Sequence, residues 1–114
     1  MAKVIFTKKL EDEINKVFKK ESTKIFESMR DLENNPHKGK PLGQVGGIVI
    51  KEIRYESHRF YFITDGFKLK MLQKEELNDL LIKFVRMSDK KAQQKTIDKI
   101  KDVLRKIGEE RFSL

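Results

Sequence analysis

The chain has 114 residues, 26 Lys+Arg against 18 Asp+Glu, a formal net charge of +8 and no cysteine. That length suits a single domain over residues 1–114, and with no thiol and only His37 and His58 the composition excludes disulfide frameworks and thiolate zinc sites, so neither metal nor cofactor is expected. No apolar run is long enough to span a bilayer, and in the opening MAKVIFTKKLEDE acids follow the short apolar stretch too soon for a secretory signal, so a soluble cytoplasmic protein without membrane contact is expected.

Val4-Ile5-Phe6 is short, β-branched and aromatic, and reads as a strand. Thr7 can cap a helix after it, on which Leu10, Ile14, Val17 and Phe18 share a face. Ser22 can cap a second helix carrying Ile25, Phe26, Met29 and Leu32, and Asn34-Asn35-Pro36 stops it. Residues 36–47, PHKGKPLGQVGG, hold four of the six glycines and both prolines and read as a loop. Strands follow at Ile48–Tyr55 and His58–Thr64, joined by a turn at Glu56-Ser57. Asp65-Gly66 reads as a hairpin signal, with a third strand at Phe67–Leu72. Lys74–Asn78 reads as a turn or one helical turn and Leu80–Val85 as a further strand, with a helix over 75–85 as the alternative. From Ser88, a candidate cap, Ile97, Ile100, Leu104 and Ile107 recur at helical spacing, and Gly108 suits that helix's end. The fold class is α+β: an N-terminal helical hairpin packed on a small, mainly antiparallel sheet, with a C-terminal helix and the helices on one face.

The excess positive charge is local. Residues 36–59 carry five basic and two acidic side chains, and residues 86–106 carry eight and three. A focused positive field favours a polyanion such as RNA or DNA, although an acidic protein would use the same patch.

Strand alternation sorts these charges by face. Ile53, Phe60, Phe62, Ile82 and Phe84 fall on the core side, with His58 and Lys51 at the same parity. Arg54, Arg59, Tyr61 and Lys83 fall on the open side, and Arg86 stands where it can turn toward them. Such a set makes no serine or cysteine triad but suits metal-free phosphodiester chemistry. Guanidinium groups bind phosphate in a bidentate way and stabilise a pentavalent transition state, and RNA supplies its own 2′-hydroxyl. Arg54 and Arg59 are the candidate phosphate clamps, with His58, Tyr61 or a lysine of lowered pKa as proton carriers. The plainer alternatives are that the arginines pair with Glu52 or Glu56 and that Lys51 snorkels at an edge.

The run NPHKGKPLGQVGGIVIKEIRYESHRFYFITDG resembles the RelE/ParE toxin superfamily in Pro36, Gly39-Lys40-Pro41-Leu42, Glu52-Ile53-Arg54 and His58-Arg59-Phe60-Tyr61. Leu80-Leu81, Phe84, Arg86 and Lys90-Lys91 are similar to its phage-derived HigB-like branch. The resemblance covers residues 4–106. It implies a toxin of a toxin–antitoxin pair, a ribosome-dependent endoribonuclease cleaving mRNA without metal and silenced by a cognate antitoxin protein. By position it assigns the scissile phosphate to Arg54, Arg59 and Arg86, with Lys51 a looser match; Lys40, Lys83, Lys90 and Lys91 are further candidate positions for RNA phosphate. The chain departs from the pattern in ending GEERFSL, without the Tyr or His that many active relatives carry, and in a long 67–79 connection. A gyrase-targeting ParE-like toxin and a catalytically inactive relative binding RNA or protein are the alternatives.

Overall fold

The computed structural model describes residues 1–107. Strand β1 (Lys3–Phe6) leads into α1 (Lys8–Phe18), where the Thr7 hydroxyl accepts a hydrogen bond from Leu10 N at 3.2 Å, the expected cap. A 3-10 turn at Lys19–Glu21 joins α1 to α2 (Ser22–Arg30). Ser22 does not cap α2: it is buried, and its hydroxyl donates to Lys19 O at 2.6 Å, tying the bend between the two helices.

Beyond Pro36 the chain enters β2 (Lys40–Val45), β3 (Ile48–Tyr55) and β4 (His58–Asp65). The stretch expected to be a loop therefore contains an edge strand. Its glycines and prolines fit there because β2 has one free edge, and the register shift between Pro41 and Gly43 absorbs the irregularity. Gly39 is needed as glycine: its φ is +108°, and a Cβ there would stand 2.8 Å from Cζ of Phe62.

The expected third strand is instead a short helix, α3 (Gly66–Met71). Asp65 caps it by accepting from Lys68 N at 3.1 Å, so the Asp-Gly pair starts a helix and not a hairpin. After a 3-10 turn at Lys74–Glu76, the buried Leu77 and Leu80 bring the chain to β5 (Leu81–Asp89). Ser88 lies inside β5, and α4 (Gln93–Ile107) starts four residues later than a Ser88 cap would place it. The expected end at Gly108 lies outside the described residues.

The strands form one sheet in the order β1-β5-β4-β3-β2, with β1 parallel to β5 and every other pair antiparallel. The α1–α2 hairpin covers one face, burying Leu10, Ile14, Ile25 and Met29 against Ile53, Phe60, Phe62 and Phe84. The other face is not open. Ile97, Ile100 and Leu104 of α4 pack there with Ile48, Ile50, Tyr61 and Ile63. The expectation of helices on one face fails because the hairpin already fills the first, and the apolar stripe of α4 can leave water only on the second.

Candidate functional site: a cationic sheet end around a buried carboxylate

The β3–β4 register places Arg54 directly opposite Arg59 and Glu52 directly opposite Tyr61. Directly opposed residues of an antiparallel pair point to the same face, so all four lie on the α4 side. The β4–β5 register continues these rows to Ser88 beside Arg59 and Arg86 beside Tyr61, and the β2–β3 register adds Lys40 beside Glu52. Simple alternation along β5 would put Arg86 with Ile82 and Phe84. A bulge between Tyr61 and Phe62 on the partner side leaves Val85 as the extra residue, which turns Arg86 to the arginine face and sends Met87 to the hairpin core.

Sharing a face does not bring the three arginines together. Glu52 is 1 % exposed, and its Oε2 lies 3.5 Å from Arg59 Nε while its Oε1 lies 3.7 Å from Arg54 Nη2. Gln93, the first residue of α4, donates to Glu52 Oε1 at 3.1 Å. Arg59 is itself buried at 6 % exposure, whereas half of the Arg54 side chain (51 %) meets solvent. Arg86 stands apart, in a cleft lined by Lys9 and Glu13 of α1 and by Thr96 and Lys99 of α4. Tyr61, the residue between Glu52 and Arg86 in the cross-strand row, packs under α4.

The candidate proton carriers are not available on this face. His58 has the parity of Phe60, and its ring packs edge-on against Phe18 of α1 at 4.9 Å, on the hairpin side of the sheet. Tyr61 is fully buried and shares a 2.6 Å hydrogen bond with Ser88 Oγ. Ser88 spends its own proton on Asp89 O at 2.9 Å, which leaves Tyr61 as the donor. Burial pushes the Tyr61 phenol above its ordinary 10.0. Tyr61 is a satisfied core group, and the expectation that it or His58 moves protons beside the arginines is corrected.

Lys51 is likewise removed from the arginine face. It is buried on the hairpin side, donates to His37 O at 2.9 Å and lies 5.9 Å from the Phe62 ring centre. Desolvation lowers its pKa below 10.5. Its position does not suit a general base at Arg54, since the sheet separates the two. Lys83 lines a cleft with Ile63, Ile100 and Leu104 toward the far end of β5. Lys40 is exposed opposite Glu52. Lys90 and Lys91 are exposed in the turn from β5 to α4. The pairing of His58 with Asp89 puts that turn at the same end of the sheet as Arg54 and the β3–β4 turn.

The arrangement therefore gathers Arg54, Lys90, Lys91 and Lys40 at one solvent-facing end, over a buried Glu52–Arg59 pair. Gln93 and Ser88 belong to this constellation although neither reads as a site residue in the sequence. The parity of Ser88 with Arg86 carried a signal for one; Gln93 becomes visible only once α4 is placed. No family model matches the chain, and no curated protein or solved structure matches it. Among the described residues no helix is long and apolar enough to cross a membrane.

Proposed function

We propose that this chain is a RelE/ParE-like toxin that binds mRNA on the ribosome through the cationic end of its sheet and cleaves it without metal, and that it is held silent by a cognate antitoxin protein. The observation that carries this reading is the exposed Arg54 guanidinium set opposite Arg59 at the sheet end where Lys90 and Lys91 emerge. The resemblance in the sequence adds the order of the motifs.

In this reading Arg54 contacts the scissile phosphate, and Lys40, Lys90 and Lys91 hold the neighbouring backbone by charge. Arg86 supports the strand from its cleft between α1 and α4. The RNA 2′-oxygen attacks phosphorus and gives its proton to water, the bond to the 5′-oxygen breaks, and that oxygen takes a proton from water, leaving a 2′,3′-cyclic phosphate and a 5′-hydroxyl. The guanidinium offsets the extra charge of the pentavalent transition state. Orientation and charge neutralisation, not a side-chain base, are what the protein supplies.

A second reading, a relative that binds RNA without cutting it, is favoured by one observation: His58 faces the hairpin and Tyr61 is buried, so neither offers a free proton carrier beside Arg54. Inducible expression separates the two. The nuclease reading expects growth arrest with new 5′ ends in ribosome-bound mRNA, both lost with Arg54→Ala. Arrest with intact mRNA and DNA-damage signalling would replace it with a gyrase-directed toxin. Harmless expression with salt-sensitive RNA binding would replace it with the non-cleaving relative.

A further inference from the structure

We propose that Glu52 is a positioning residue that takes Arg59 out of the phosphate-binding set and holds Arg54 for it. This rests on the RNA reading above but gives the two arginines different roles.

The geometry is asymmetric. Arg59 is 6 % exposed and Glu52 is 1 % exposed. Arg59 Nε and Glu52 Oε2 are fully buried, face each other as an ion pair at 3.5 Å, and have no hydrogen-bond partner among the described residues. A buried charge is costly without an opposite one beside it, so the carboxylate sits against the Nε edge of Arg59 where a phosphate oxygen would otherwise lie. The other carboxylate oxygen receives the Gln93 amide at 3.1 Å and lies 3.7 Å from Arg54 Nη2. Arg54 therefore has its inner edge beside an anion and its outer edge in solvent. A long side chain in water samples many rotamers, and a fixed buried anion at its inner edge narrows that range before any ligand arrives. Gln93 fixes the anion in turn, so the first residue of α4 helps set the arginine's direction. The three groups together carry one net positive charge, so the pair opposite one another on β3 and β4 offers a single guanidinium to a phosphate and not two.

The test is the salt dependence of binding to a single-stranded RNA with 2′-O-methyl sugars, which cannot be cleaved. Each phosphate contact to a single strand contributes about 0.7 to the slope of log affinity against log salt. Arg54→Met is expected to reduce that slope by about one such contact. The double variant Glu52→Gln/Arg59→Met removes both buried charges in similar volume and so keeps the fold. It is expected to bind several-fold more weakly, because Arg54 is no longer held, with the wild-type slope unchanged. A slope that falls in the double variant as it does in Arg54→Met would make Arg59 a direct phosphate ligand and overturn the proposal, as would wild-type affinity. A second readout needs no RNA. The Arg54 Nε–H order parameter is expected to drop in the double variant, and an unchanged value would overturn the positioning role. If the wild type binds no RNA while Arg54 loses order in the double variant, the RNA reading fails and the positioning role stands.

Discussion

The two faces of the sheet solve different problems. Under the hairpin, Phe60, Phe62 and Phe84 are fully buried among aliphatic and aromatic partners, and the buried Lys51 has its amine on a carbonyl. Under α4, a smaller set of isoleucines and leucines shares its cover with Tyr61, Glu52 and Arg59, three polar side chains out of water. The first face is built for stability. The second gives some of that up: a buried ion pair contributes little net stability against an apolar pair of the same volume. What it gains is a fixed charge beneath an exposed arginine.

Substitutions on the two faces sharpen this contrast. The largest loss is expected for Phe62→Ala, which removes a ring tilted against Phe84 at 4.9 Å between centres in the fully buried layer. Denaturant unfolding should show a loss of about 3–5 kcal/mol. Next is Arg59→Met alone, expected to lose about 3 kcal/mol because it strands the Glu52 carboxylate. Adding Glu52→Gln should recover most of that loss, measured in the same titration. If the double variant is no more stable than the single one, the polar set under α4 is not organised as a pair.

Lys51 gives a smaller, pH-dependent effect. Its folded pKa is lowered by desolvation, while the unfolded lysine keeps about 10.5. Between those two values the unfolded chain binds the extra proton, so this group's contribution to stability rises with pH across the window and is least favourable below it. Unfolding curves of wild type and Lys51→Met, compared from neutral pH toward about 10, should therefore shift in the wild type's favour. A constant difference would mean that the amine is not desolvated. The smallest stability effect is expected for Arg54→Ala. Its side chain is half in solvent and its one acidic neighbour is 3.7 Å away, so the midpoint should move by no more than about 0.5 kcal/mol.

Much of this contrast is legible in the sequence. Period-two alternation puts Arg54 and Arg59 on one face and Phe60 and Phe62 on the other, and the register bears that out. The Thr7 cap and the Glu56-Ser57 turn depend only on neighbours in the chain and are read correctly. The burial of Arg59 was not legible. It depends on which side of the sheet α4 takes, and the Ile97, Ile100, Leu104 stripe states only that one face of α4 is covered, not by what. The bulge that turns Arg86 and the edge strand inside a Gly- and Pro-rich run are tertiary choices of the same kind. The Asp-Gly pair failed for a different reason: one aspartate can start a hairpin or cap a helix, and the Lys68 amide decided for the helix.

The central claim is that RNA meets the protein at the sheet end marked by Arg54. Photocrosslinking a single-stranded RNA containing 4-thiouridine, followed by peptide mapping, tests it most directly. Crosslinks are expected on the β2–β3 segment around Lys40 and Arg54 and on the turn carrying Lys90 and Lys91. Crosslinks confined to the hairpin side, around His58 and α1, would contradict it.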